Sequence, residues 1–136
     1  MLVSTRGKYA LNVMLDLAKN SSDEFIPLKD IAARQQLSQK YIGSIMSDLS
    51  KSGFVEAVHG KGGGYKLARK PQDYTIGEVL KLTEKSMATV ACLEEGSAEC
   101  QRASTCPTLP VWVKLQSIMD SYLESVTLLD LMNNNI

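Results

Sequence analysis

Membrane-length apolar runs, paired cysteines and histidines are what this 136-residue sequence is short of. No stretch comes near the roughly 20 uninterrupted apolar residues that a spanning helix needs. The opening MLVSTRGKYALNVM lacks the basic, apolar, small-residue order of a secretory leader. A cytoplasmic protein without membrane association is therefore expected. The three cysteines are an odd number and all lie in the second half, which speaks against a disulfide framework. One histidine, with no HExxH and no GxSxG, leaves little for hydrolysis or proton transfer. No enzyme activity is expected.

Charge of one sign is also missing overall, since 15 Lys and Arg stand against 15 Asp and Glu. The balance is uneven along the chain. Residues 1–80 hold eleven basic and eight acidic side chains, and residues 81–136 hold four and seven. Within 51–70, Lys51, Lys61, Lys66, Arg69 and Lys70 face a single acid, Glu56. A basic front and an acidic back point to a polyanion partner at one end only. What is plentiful is ordinary: 44% hydrophobic and 22% charged residues describe a globular chain of one domain with an appended arm.

The apolar spacing predicts a mainly α fold with one small β-hairpin. Ala10, Val13, Met14, Leu17 and Ala18 form a helical stripe within Thr5 to Lys19. A short helix follows Pro27, with Leu28, Ile31 and Ala32 inward. Ser38 then caps a third helix whose buried stripe is Ile42, Ile45, Met46 and Leu49, and Gly53 stops it. Two short helices across a tight turn are the helix-turn-helix plan. Val55 and Val58 start a strand, Tyr65 and Leu67 return on another, and a glycine-rich basic tip joins them. Helix, helix, helix, hairpin is the winged-helix order. Thr75 caps a further helix, and a long helix is expected from Pro107 or Pro110 to Met132. Along it, Trp112, Leu115, Met119, Tyr122, Val126 and Leu129 repeat as a seam for a second copy of the chain. Packing against the chain's own first helix is the competing possibility.

The chemistry lies in three places. His59-Gly60-Lys61-Gly62-Gly63-Gly64-Tyr65 fails both phosphate-loop patterns, since no Ser or Thr follows Gly-Lys and Tyr65 replaces the last glycine of GxGxxG. A DNA-binding wing suits it better: Gly62 and Gly63 let the backbone approach phosphates, while Lys61 and His59 reach toward a groove. A plain flexible hairpin is the other reading. The third helix offers Ser38, Gln39, Lys40, Tyr41 and Ser44 at its N-terminal end, where a recognition helix meets base edges. Lys51 and Arg6 are candidates for phosphate contact. The alternative is a polar face that is merely solvated.

Cys92, Cys100 and Cys106 are spaced too widely for a zinc knuckle. Three thiolates on a loop suit an iron–sulfur cluster, whose bridging sulfides let ligands stand apart. Free thiols without a metal are equally compatible with the spacing.

Ser4-Thr5-Arg6-Gly7-Lys8-Tyr9-Ala10-Leu11, then Ile31-Ala32, Ser38, Tyr41-Ile42 and Leu49, Gly60 through Ala68, and Ile76-Gly77-Glu78-Val79 together resemble the Rrf2 family of bacterial transcription regulators. The likeness runs over essentially the whole chain. It implies a homodimeric winged-helix repressor or activator of palindromic double-stranded DNA, with C-terminal helices crossing between subunits. In cluster-binding members three loop cysteines ligate a 2Fe–2S or 4Fe–4S centre, which the resemblance carries to Cys92, Cys100 and Cys106. Members that sense thiols or partners without a cluster lack that triad. The fourth ligand departs from the family: a histidine position falls on Leu109 and an aspartate position on Lys8. Glu94, Glu95, Glu99, the Ser104 hydroxyl, a small thiol or water stay open. Gly43 stands where some members carry a base-reading Glu, and His59 where the wing usually has Arg.

The expected organisation is a DNA-binding domain over 1–74 with its wing at about 54–69, and a connecting helix and linker over 75–91. A cysteine loop over 92–106, a dimerisation helix over 107–132 and a frayed tail over 133–136 complete it. Its function is expected to be cluster-controlled operator binding in response to iron–sulfur status, redox or nitric oxide. Cluster-free thiol sensing or control by a partner protein is the alternative.

Overall fold

The architecture described here is that of a computed structural model, over residues 2–98 and 102–136. Glu99 and Cys100 lie outside the described residues.

Helix α1 spans Thr5–Lys19, and Ser4 caps it by accepting from the Gly7 amide at 2.9 Å. Its apolar stripe is wholly inside, with Ala10, Val13 and Met14 fully buried. Helix α2 (Leu28–Gln35) ends at Gln36 in the left-handed conformation, and the chain turns directly into α3 (Gln39–Lys51). Ser38 caps α3 through the Tyr41 amide at 3.1 Å. The α3 stripe of Ile42, Ile45, Met46 and Leu49 locks onto α1, completing the helix-turn-helix core. Gly53, at φ +76°, ends α3 in the left-handed conformation that a side chain resists.

Strands β1 (Val55–Val58) and β2 (Gly64–Leu67) pair antiparallel, with Val55 opposite Leu67 and Val58 opposite Gly64. A third rung comes from the α1–α2 connection, where Ile26 and Tyr65 exchange amide–carbonyl bonds of 2.8 and 2.9 Å. Tyr74 anchors the hairpin from below. Fully buried, it donates to the Phe54 carbonyl at 2.6 Å and accepts from the Arg69 amide at 2.9 Å.

Helix α4 (Ile76–Thr83) starts with a complete capping box between Thr75 and Glu78 and packs along α1. The C-terminal helix corrects an expectation. It does not run unbroken to Met132: α5 covers Leu109–Ser125, and a separate α6 covers Leu128–Met132. The break has a local cause. Val126 and Thr127 are adjacent β-branched residues in extended conformation, bridging back to the start of α4. The Ile76 amide donates to the Val126 carbonyl at 2.9 Å, and the Leu128 amide to the Tyr74 carbonyl at 3.1 Å. Thr127 and Asp130 then form a fresh capping box. Val126 and Leu128 consequently join the domain core, and Leu129 is half-buried. Neither Val126 nor Leu129 belongs to an exposed seam.

Candidate nucleic-acid interface and cysteine loop

The first turn of α3 presents Gln39 and Lys40 to solvent, and Ser44 lies exposed one turn on. Tyr41 differs from its neighbours. It is half-buried, and its ring meets that of Tyr9 edge-on at a centroid distance of 6.1 Å, so it braces α3 against α1. Gly43 lies where a side chain would press on the Leu28 methyl at 3.3 Å, which lets α2 and α3 approach closely. Lys51 is exposed in the last turn. Arg6, expected on phosphates, turns inward to α3. One guanidinium nitrogen donates to Ser44 Oγ at 3.0 Å and to Asp48 Oδ2 at 2.5 Å.

The wing tip is His59, Gly60, Lys61 and Gly62, all exposed, with Gly63 folded half inside. Gly60 and Gly62 hold positive φ, and the Gly63 amide closes the turn onto the Gly60 carbonyl at 3.0 Å. A Cβ on Gly63 would collide with the Val58 carbonyl, and one on Gly64 with the Ile26 carbonyl. The tip is thus a tightly wound backbone with one lysine and one histidine projecting. Behind it, Lys66 lies over the Phe25 ring at 4.8 Å and 3.7 Å from Glu56.

The cysteine loop is held at both ends. Its leading linker is clamped by Gln116 of α5, which accepts from the Thr89 amide at 2.6 Å and donates to the Met87 carbonyl at 2.9 Å. Cys92 is an exposed free thiol in the short 3₁₀ turn Ala91–Leu93. Cys106 is a half-buried free thiol just before α5. Its sulfur lies 3.6 Å from Thr108 Oγ1, which also accepts from the Trp112 indole at 3.2 Å. The Thr108 hydroxyl chiefly, then the Thr108 and Leu109 amides and the Arg102 charge, hold the Cys106 thiol below its ordinary range against the opposing pull of burial. Glu94 and Glu95 line a cleft of about 560 Å³ between α4, the linker and α5, together with Glu84 and Glu124. Ser104 is exposed, Leu109 opens α5, and Lys8 is exposed on α1. Among the described residues no three His, Cys, Asp or Glu side chains converge as a metal site. Cys100 and Glu99 are outside that set. The donor chemistry still suits a thiophilic iron centre, with two free thiols and the pKa of Cys106 held below its ordinary range.

Residues 3–134 match the Rrf2 family profile, described as "Iron-dependent Transcriptional regulator". The chain belongs to the Rrf2 family. Its relatives include the HTH-type transcriptional regulator IscR of Vibrio atlanticus, 37% identical over 99% of this chain and 77% of that protein. The IscR of Escherichia coli O1:K1 is 36% identical over 98% and 82%. Among solved structures, CymR, the global cysteine regulator of B. subtilis, superposes with a TM-score of 0.80 at 30% identity, covering 98% of both chains. T. potens IscR superposes with a TM-score of 0.74 at 31% identity, over 100% of this chain and 89% of that one. As an Rrf2 protein the chain is a winged-helix, DNA-binding transcription regulator and not an enzyme. No helix among its described residues is long and apolar enough to cross a membrane.

Three features of this Rrf2 chain escaped the residue patterns: the Arg6–Asp48 pair, the Gln116 clamp and the capping of α1 by Glu84. The Glu84 carboxylate accepts from both the Ser4 amide and the Ser4 hydroxyl at 2.9 Å, and Gly7 leaves the room it needs. Spacing carries no signal for such contacts, because their partners lie far apart in sequence. The exposed apolar stripe of α5 is also offset from the expected seam. Val111, Leu115, Ile118 and Tyr122 form an exposed row on α5, Val113 is exposed beside them, and Trp112 and Met119 are half-buried.

Proposed function

We propose that the chain is a cytoplasmic homodimeric regulator of palindromic operators, and that its affinity for DNA follows an iron–sulfur centre held by Cys92, Cys100 and Cys106. The observation that carries this is positional. Cys106 sits at the mouth of α5, the helix whose outer face exposes Val111, Leu115, Ile118 and Tyr122. A patch of that kind on a small chain calls for a partner surface, and a second α5 supplies the matching one. Ser38, Gln39, Lys40 and Ser44 then face the major groove on a helix braced by Tyr41, with Lys51, His59, Lys61, Gly62 and Gly63 along the backbone and adjacent groove.

When bound, such a centre would supply a thiolate-linked charge whose state follows iron supply, oxidants and nitric oxide. The chain's own residues do the coupling. Cys106 fixes the entry of α5, Thr108 ties that thiol to Trp112, and Gln116 ties the linker to the same helix. Joining the three thiols through one centre would set the angle between paired α5 helices, and so the spacing of two α3 helices over half-sites about 34 Å apart. Anaerobic purification with absorbance, iron and sulfide analysis tests it. Coloured protein with iron and sulfide is expected; colourless, iron-free protein after anaerobic reconstitution would refute the centre and leave DNA binding intact.

A second reading is favoured by one observation, the lowered Cys106 thiol beside a fold superposable on CymR. In that case the thiols themselves sense oxidants. Peroxide-induced mass shifts on Cys92 or Cys106 that change operator affinity without iron would select it.

A further inference from the structure

Arg6 sits in the first turn of α1, and that turn is fixed from two sides. Ser4 caps it locally, and Glu84 from the end of α4 holds both the Ser4 amide and hydroxyl at 2.9 Å. From this base the Arg6 side chain crosses to α3, where a single nitrogen meets Ser44 Oγ at 3.0 Å and Asp48 Oδ2 at 2.5 Å. Ser44 and Asp48 are one helical turn apart, so both stand on one edge of α3. The Asp48 side chain is about half exposed, at 48%, and would present an uncompensated negative charge beside any polyanion. Arg6, itself 32% exposed, cancels that charge. A guanidinium engaged with a carboxylate adds no net positive charge toward a phosphate.

The second bond has a chemical consequence for Ser44. A hydroxyl has one donor and two acceptor positions. The Arg6 N–H occupies an acceptor position, while among the described residues the Ser44 hydroxyl donates to nothing. Its proton and one acceptor position are thus left to meet a base, and the Arg6 bond fixes the direction in which they point.

We propose that Arg6 is a positioning residue for base reading and not a phosphate contact: it neutralises Asp48 and fixes the direction in which the Ser44 hydroxyl meets a base. This rests on the reading of α3 as the helix that meets bases. It is specific to the side chains at 6, 44 and 48 of this chain.

The test uses the full chain and pairs two measurements: selection of bound sequences from a randomised duplex pool, and the salt dependence of affinity for one fixed non-specific duplex. The informative variant is the charge-neutral R6A/D48A, since R6A alone would leave Asp48 bare. R6A/D48A is expected to keep the wild-type salt slope and to relax base preference at one position per half-site by about fivefold or more. Ser44→Ala, an exposed change that leaves the core untouched, is expected to lose discrimination at that same position, and the charge-neutral R6Q/D48N, which nearly keeps both side-chain volumes, replaces R6A/D48A if the latter does not fold. A salt slope shallower by about 0.9 for each Arg6 removed, with base preference unchanged, would make Arg6 a phosphate contact and overturn the proposal. Gln39→Ala separates the two levels. If it alone alters base preference, α3 reads DNA and the Arg6 proposal fails; if none of the three variants alters it, the reading of α3 fails as well.

Discussion

A single hydroxyl, that of Thr108, contributes most to the chemistry of the Cys106 thiol. It lies 3.6 Å from Cys106 Sγ and is the main cause of that thiol's lowered pKa. A thiolate reacts with alkylating agents and the thiol does not, so a lowered pKa means more reactive sulfur at neutral pH. Thr108→Val keeps the side-chain shape and removes the hydroxyl. The pH profile of Cys106 alkylation in iron-free protein should then move upward, and the rate at pH 7 should fall severalfold. Peptide mass spectrometry after timed iodoacetamide exposure, with Cys92 as internal control, reads this directly. The same sign governs stability: a pKa lower in the folded state favours folding at pH above the ordinary thiol range, and the contribution fades as pH falls through the lowered value. An unmoved profile would show that the backbone amides of Thr108 and Leu109 suffice.

At the scale of elements, the wing depends on backbone approaches that leave no room for side chains. Gly64 is buried at φ +153°, with the Ile26 carbonyl in the place of its missing Cβ. Gly62 has φ +77° but open space around it. Gly64→Ala should therefore cost more than about 2 kcal/mol, from backbone strain plus loss of the Ile26–Tyr65 rung, and Gly62→Ala about 1 kcal/mol from conformation alone. Urea melts of the two variants check the difference. The same contrast shows what was legible. The stripes of α1 and α3, the Ser38 and Thr75 caps and the Gly53 stop follow local rules, and the structure has each of them where the spacing puts it. The Ile26 rung, the buried Asp16 held by the Arg34 fork at 2.8 and 2.7 Å, and the Glu84 cap join residues distant in sequence, where periodicity is silent. The helix break at Val126 misled for a related reason. An apolar residue at the right interval reads the same whether it faces a second copy or folds back into its own core. The local clue was the capping box of Thr127 and Asp130, which marks a new helix start inside an apparently continuous repeat.

For the whole molecule, the offset between the expected seam and the exposed stripe decides which substitutions separate folding from assembly. Ile118 is 54% exposed on α5, whereas Val126 is 9% exposed and packed in the domain core. Were the repeat one continuous interface, both positions would govern pairing. In this fold Val126 lies in the core and Ile118 on the open face of α5. Ile118→Asp puts a charge at the centre of the stripe formed with Leu115 and Tyr122, where pairing of two copies would bury it without a partner. It should shift the chain from dimer to monomer in sedimentation velocity while leaving the melting of the monomer within about 0.5 kcal/mol, as for other exposed positions. Val126→Ala removes two methyl groups from a packed site and should destabilise each subunit by about 1–2 kcal/mol with the dimer dissociation constant unchanged. Because operator binding would need two α3 helices at a fixed spacing, Ile118→Asp should also weaken binding to a two-half-site duplex far more than to a non-specific one. A dimer that survived Ile118→Asp and dissociated on Val126→Ala would return the interface to the continuous-helix arrangement, and would require Val126 and Thr127 to leave their bridge to Thr75 when the copies pair.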